Sequence, residues 1–348
     1  MAEPDDFVTA MEKFRAALLA RERRAAVRLV NAYGAIYEKL QADIEALADE
    51  IAALSPQQAG AAKLGKLRAW KALRAGLVDE MSKFEIIFEN HLAETAPESV
   101  RAGIAEARLM AAATLPGASE LDAKIMATWR KLPAQVVENL LGFLDEGAPL
   151  KKSLAELGPA LAEQVEEKLV TGLALGWNPR KTARFIRAEL GQGLTWALRT
   201  ARTVNLYAYR EANRASYIAN NHIVKGWRWR AKLEGSCLSC IAMDGTAHDL
   251  DERLNDHHNG QCWMEPITAT YKELGFDVAE PPRPERQTGQ EWFEGLGEGR
   301  QRQIMGQARF EAWREGKFKF NDLSGARNDP VWGEMRVAQS LKQLAASQ

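Results

Sequence analysis

From Phe7 onward the apolar residues fall at Phe7, Met11, Phe14, Leu18, Ala25, Leu29, Tyr33, Ile36, Leu40, Ile44, Leu47, Ile51 and Leu54, in steps of three and four almost throughout. That spacing predicts one long amphipathic helix. Pro4-Asp5-Asp6 opens it, with a proline in the entry and acids where the N-terminal dipole favours them. Ser55-Pro56 closes it, because a residue before proline is pushed out of the helical region. About 50 residues at roughly 1.5 Å each span roughly 75 Å, which favours a rod or coiled-coil arm that packs on partners. Two ordinary helices bent at Gly34 are the alternative.

Residues 63–94 repeat the pattern with Leu67, Trp70, Leu73, Leu77, Met81, Phe84 and Phe88 on one side, and Pro97 is expected to end that helix. A third helix runs from about Glu98 to Thr114 and stops at the breaker pair Pro116-Gly117. Ser119 with Asp122 resembles a helix-start box for 120–146, which Pro133 must kink or divide. Helices continue over 150–175. Gly176-Trp177-Asn178-Pro179 then forms a turn, with Asn178 as cap and Pro179 at the first helical position, before helices over 180–190 and 194–220.

Around residue 225 the period changes to two. In Trp227-Arg228-Trp229-Arg230-Ala231-Lys232 apolar and basic residues alternate, the mark of a strand with one buried face. Pro281-Pro282-Arg283-Pro284 reads as a stiff extended linker, and the last helical regions are expected over 288–315 and 330–344. The fold class is therefore mainly α: a long-helix arm (1–115), a helical region (116–224), a small α+β module (225–280) and a linker with a helical tail (281–348). There is no internal repeat and no low-complexity tract.

The 348 residues suit two or three domains, and 46% hydrophobic with 27% charged residues is the composition of a folded soluble protein. No apolar run approaches the roughly 20 residues that span a bilayer, and the N-terminus lacks the order of a signal peptide, so no membrane role and a cytoplasmic site of synthesis are expected. A formal net charge of −1 conceals blocks of opposite sign. Residues 177–232 hold twelve bases against two acids, 233–298 hold fourteen acids against four bases, and 299–348 hold nine bases against five acids. The basic block suits phosphate backbones, an acidic partner or the chain's own acidic block. Its helix-periodic apolar positions favour protein contacts over a free basic arm.

The three cysteines lie within 26 residues, an odd number that points to a metal and away from a disulfide framework. Cys237-Leu238-Ser239-Cys240 is followed after sixteen residues by His257 and after four more by Cys262. Three thiols and one imidazole are the donor set that tetrahedral structural zinc prefers, and the two-residue gap lets both sulfurs of the pair face one ion. Reduced cysteines without a metal and a redox pair are the alternatives. Redox pairs open a helix in a βαβ setting, whereas this pair follows a strand and precedes the turn Asp244-Gly245. His258 and His248 compete with His257 as the nitrogen ligand; His91 and His222, in helical segments, are given no role. If all four ligands are protein atoms the ion is structural, not catalytic. Asp244, Asp249, Asp251, Glu252 and Asp256 read as a solvated loop face.

Enzyme signatures for zinc deaminases, P-loops, nucleophile elbows and zincins are missing. Gly295-Leu296-Gly297-Glu298-Gly299 has the wrong spacing for a dinucleotide loop. Asp256-His257-His258-Asn259 invites a metal-dependent nuclease of the HNH type, but no later histidine and no second C-x-x-C complete it.

The residues Arg199-Thr200-Ala201-Arg202-Thr203, Asn213-Arg214, the Trp227 strand, Cys237-Leu238-Ser239-Cys240, Met243-Asp244-Gly245 and His257 to Cys262 together resemble the head morphogenesis domain of phage Mu protein F-like minor head proteins. Gly176-Trp177-Asn178-Pro179-Arg180 upstream, and Trp292-Phe293, Ile304-Met305-Gly306 and Gly316-Lys317-Phe318 downstream, extend the resemblance to roughly 165–325. It departs at Gly260 and Gln261, which stand where that family carries a cysteine and an arginine; Cys237, Cys240, His257 and Cys262 remain as four ligands.

The resemblance implies a non-enzymatic, low-copy virion component. It would associate with the portal protein and with the major capsid or scaffolding protein, in the head interior or at the portal vertex, after assembly in the host cytoplasm. Aiding head assembly, DNA packaging or DNA delivery is the implied role, with packaged DNA as a further partner for the basic 177–232 block. An HNH-like nuclease and a DNA-binding structural protein without a portal role are the competing readings.

Overall fold

The computed structural model describes residues 4–54, 64, 67–115, 117, 120–175, 177–281, 283 and 286–346. Ser55-Pro56, Pro116, Ser119, Gly176, Pro282 and Pro284 lie outside these residues, as do the side chains of Phe7, Met11, Phe14, Leu18 and Ala25. The chain is mainly helical, with small sheets toward its C-terminus. The long helices are α1 (Pro4–Ala52), α2 (Arg68–Thr114) and α7 (Pro179–Ala219); between α2 and α7 come α3 (Glu120–Ala127), α4 (Ala134–Asn139), α5 (Pro149–Ala155) and α6 (Leu157–Ala174). Then follow β1 (Val224–Arg230), α8 (Leu238–Met243), β2 (Ala247–His248), β3 (Trp263–Thr268), α9 (Gly289–Glu294), α10 (Glu298–Met305), α11 (Gln307–Arg314), β4 (Ser324–Asp329), β5 (Gly333–Ala338) and α12 (Leu341–Ala346). Two compact units form, each discontinuous in sequence: a helical unit, Leu19–Thr95 with Phe143–Arg202, and a mixed unit, Met1–Leu18 with Ala96–Gly142 and Thr203–Gln348.

In the helical unit the expected apolar faces meet. Leu29, Tyr33, Ile36, Leu40, Ile44 and Leu47 of α1 are buried, as are Leu73, Leu77, Met81, Phe84 and Phe88 of α2. The two helices run antiparallel. The Tyr33 ring stands edge-on to Phe84 at 5.1 Å, Lys39 pairs with Glu80 at 2.9 Å, and Glu50 accepts the first amides of α2, from Arg68 and Ala69. Helix α1 continues through Gly34, so the single-helix reading holds over the two-helix alternative.

The sequence pattern ends a helix at Pro97, yet α2 runs on with Pro97 inside it. An interior proline removes one amide donor and costs about 3 kcal/mol. Leu92, Ala96 and Val100 on the flanking turns are all essentially buried, and one large apolar side chain so buried contributes about 1.5–3 kcal/mol. Packing therefore overrides the local penalty. The pattern also separates 180–190 from 194–220, whereas α7 is unbroken. A side chain at Gly193 would collide with the Tyr33 hydroxyl and Leu161, so this glycine serves a close approach and not a helix end. Asn178 caps α7 as expected, its Oδ1 accepting from Lys181 N at 2.9 Å, and the division at Pro133 is also as expected.

In the mixed unit the later turns of α2 and α7 cross closely. A Cβ at Gly103 would meet the Tyr209 carbonyl and lie 2.9 Å from Ala212 Cβ. Asn213 Nδ2 donates to Gly103 O at 2.6 Å, and the Tyr209 hydroxyl donates to Glu106 at 2.6 Å. Against this pair stands a three-stranded antiparallel sheet in the order β2-β1-β3, with Trp227 opposite His248 on one side and Pro266 on the other. Pro266 is tolerated because β3 is an edge strand. Trp227 and Trp229 are buried with Tyr217, Met110, Ile223 and Met264 in one core.

A second core joins Leu238, Ile241 and Ala242 of α8 to Phe293, Met305, Phe310, Phe320 and Leu323. The tail departs from expectation. Residues 330–344, read as helical, instead supply β5 of a hairpin with β4, and only α12 is helical there.

Candidate metal centre

The local build starts at β1. Leaving the strand, the chain passes Leu233 and Gly235, both with positive φ, and enters α8, whose N-cap is Cys237. The Cys237 sulfur accepts from Cys240 N at 3.4 Å, a thiol standing where a hydroxyl or carboxylate usually caps. One turn later Cys240 points the same way, and its Sγ lies 3.4 Å from that of Cys237. The loop after β2 brings His257 Nε2 to 3.0 Å from Cys237 Sγ and 3.2 Å from Cys240 Sγ.

His257 Nδ1 is 2.8 Å from His258 O. A carbonyl only accepts, so Nδ1 carries a proton and Nε2 is the ring atom turned to the sulfurs, the orientation a ligating imidazole takes. Tetrahedral zinc with bonds of about 2.3 Å to sulfur and 2.0 Å to nitrogen spaces its ligands about 3.8 Å apart sulfur to sulfur and about 3.5 Å sulfur to nitrogen. The observed spacings are a few tenths of an ångström tighter. Cys237, Cys240 and His257 thus form a group that could hold a metal ion, and Cys240, Asp256 and Cys262 form a second, all donors in each within 4.8 Å of one another. Cys240 is common to both.

The electrostatics divide the thiols. Cys237 is pulled down to about 5 by hydrogen bonding from Cys240 and then His257, and His257 is pushed up to about 9, first by its bond to Cys237. Hydrogen bonding to the Cys237 thiolate, then to Cys262, and burial push Cys240 up, while burial raises Cys262.

Two histidine candidates are drawn elsewhere. His248 stacks on Trp227 at 4.3 Å and is bonded between Thr246 and Glu252; His258 Nε2 lies 2.9 Å from Asp329 of β4. His222 meets Thr128, and His91 is buried in the helical unit. The acids split as well. Asp249, Asp251 and Glu252 are exposed, as expected, but Asp244 and Asp256 are buried. Asp244 accepts from Ala231 N at 2.6 Å and faces Arg230, which also pairs with Glu265; burial raises the Asp244 carboxyl. The strand's alternation is broken at that point, since Arg230 is buried with these acids. The distinction drawn from the redox setting also shifts: the pair does open a short helix, although in an antiparallel sheet and not a βαβ unit.

The opposite charge blocks meet within the mixed unit, through Arg210–Asp256, Arg230–Asp244 and Arg230–Glu265. Arg214 pairs inside its own block with Glu211. In the helical unit Arg180, Lys181 and Arg184 are exposed. Arg210 escaped the reading of single residues and Asp256 was read as part of a solvated face; the one signal of their pairing was the adjacency of oppositely charged blocks. Among the described residues no helix is long and apolar enough to cross a membrane. No family model, curated protein or solved structure matches the chain.

Proposed function

We propose that Cys237, Cys240 and His257, completed by Cys262, hold one structural zinc ion, and that the chain is a non-enzymatic head morphogenesis protein of a bacteriophage. The observation that carries the metal reading is the convergence of two sulfurs and one imidazole nitrogen within 3.4 Å of one another. When bound, the ion supplies a crosslink between α8 and the His257 loop, and its binding energy becomes folding energy. Cys237 caps α8, His257 presents Nε2 by anchoring Nδ1, and Cys262 opens into β3.

Support for the phage reading comes from the sequence resemblance, whose Trp227 strand, C-x-x-C, Asp244-Gly245 turn and His257 segment belong to the same module. The long α1 suits contact with a ring of partner subunits, such as the portal or the inner capsid, and the exposed bases of α7 suit packaged DNA. An HNH-like nuclease is less favoured, because His248 and His258 are engaged away from the thiols. The test is metal content of protein purified without added zinc, followed by copurification with portal rings or proheads. One zinc per chain and portal association are expected; a chain that binds neither would overturn the proposal.

A further inference from the structure

The Cys/His group is held by a second layer that no sequence motif marks. Asp256 is almost fully buried, and its carboxylate is bonded on every side. Oδ1 accepts from His257 N at 2.9 Å and lies 3.4 Å from Cys240 Sγ; Oδ2 accepts from Cys262 N at 3.1 Å and from Arg210 at 3.1 Å. One carboxylate therefore touches three of the four candidate ligand residues. Arg210, itself buried, reaches in from α7 and donates to Gly260 O at 2.7 Å and to Cys262 O at 2.8 and 3.0 Å. Gly260 completes the arrangement, since a Cβ there would lie on the Asp256 carboxylate.

A buried carboxylate and guanidinium are costly to desolvate, and they are retained when the geometry supplies matching hydrogen bonds. Here those bonds end on the backbone and side chains of the cluster. We propose that Arg210 and Asp256 are positioning residues for the metal, so that occupancy of the Cys/His site and anchoring of α7 in the mixed unit are one coupled event. The inference rests on the metal reading above. Outer partners of this kind set ligand orientation and typically change metal affinity by about 10–100-fold.

The experiment measures zinc affinity of the full chain by chelator competition, with the cobalt-loaded visible spectrum as a second readout, for wild type, R210Q, R210K and D256N. R230Q is the control, because Arg230 is equally buried and ion-paired but bonded to Asp244 and Glu265, outside the ligand set. Zinc affinity is expected to fall about 10–100-fold in R210Q and D256N, with a shifted cobalt band. R210K, which keeps the charge but not the fork, should be intermediate, and R230Q should keep wild-type affinity even if it melts earlier. Should D256N not fold, G260A replaces it, since its methyl displaces the carboxylate without altering charge or ligand. Wild type binding zinc while R210Q and D256N (or G260A) bind it equally well, with an unshifted cobalt band, would overturn the proposal. Wild type binding no metal would overturn instead the reading on which it rests.

Discussion

Removing the proposed zinc ion from the wild-type chain should lower its melting temperature by an amount that can be worked out. The proposed ligands all lie in the mixed unit, which comprises about 210 residues. Zinc at a thousandfold excess over its dissociation constant adds about 4.1 kcal/mol to a folded state that alone binds it. For a unit of this size each kcal/mol moves the midpoint by about 2–4 °C. Chelation should therefore cost about 8–16 °C.

Cys240→Ser is the matched genetic perturbation, because Cys240 belongs to both donor groups and its loss leaves neither intact. Melting would be followed by circular dichroism and calorimetry with zinc in excess and with chelator, beside zinc content by mass spectrometry. C240S should carry no zinc and melt at the same temperature in both buffers. If wild type contains zinc yet melts within about 2 °C of its chelated form, the crosslink argument is refuted, since a bound ion would then contribute nothing to folding.

Other outcomes follow from the same geometry. Burial, then Arg28, holds the His91 imidazole below the ordinary histidine range; the unfolded chain takes up a proton near pH 6.5 that the folded unit resists, so stability is complete above about pH 6.5 and lost as pH falls below it. H91F, stacked on Phe88 as His91 is, should flatten the urea midpoint between about pH 7.5 and 5.5, and an unchanged slope would count against this role. Gly103→Ala places a methyl between Tyr209 O and Ala212 and should cost about 1–3 kcal/mol in urea titration; a neutral result would mean the helix crossing yields. Phe88→Ala, at a fully buried ring between Phe84 and Trp196, should cost about 3–5 kcal/mol, and a loss under 1 kcal/mol would contradict the core described for the helical unit.

The long helices were legible because a 3.6-residue period sustained over ten turns leaves little ambiguity about which face is apolar. Leu29 to Leu47 and Leu73 to Phe88 are buried where the pattern puts them. Their ends were less legible. Pro97 and Gly193 are local breakers whose penalties are outweighed by contacts with residues far away in sequence, and such contacts have no local signature. The β4–β5 hairpin was missed although Pro330 to Gly333 is a turn-forming run and Gly333 adopts φ +74, because its strands are short and mostly exposed. Cys237, Cys240 and His257 were legible as one donor group through their chemistry alone, while Cys262 falls in the second group with Cys240 and Asp256. Choosing His257 over His258 and His248 needed the fold, which gives those two Asp329 and Trp227 as neighbours. Arg210 and Asp256 are 46 positions apart, and pairing at that distance leaves only the coarse trace of opposite charge blocks.

The discontinuity of the two units bears on synthesis. A ribosome delivers the chain from N-terminus to C-terminus, and the helical unit has all its segments once Arg202 has emerged. Residues 96–142, by contrast, belong to a unit whose remaining segments begin at Thr203, so their apolar faces wait while about 60 further residues are made. The loop carrying His257 waits longer still, for its neighbours Asp329 and Glu334 and the Arg336 amide that bonds Asn255 O at 2.7 Å lie about 70–80 residues further along the chain. Domains that complete late in translation expose unpaired surface to aggregation for longer. A nascent chain of this protein thus completes its helical unit early and leaves its mixed unit vulnerable until the β4–β5 hairpin is released.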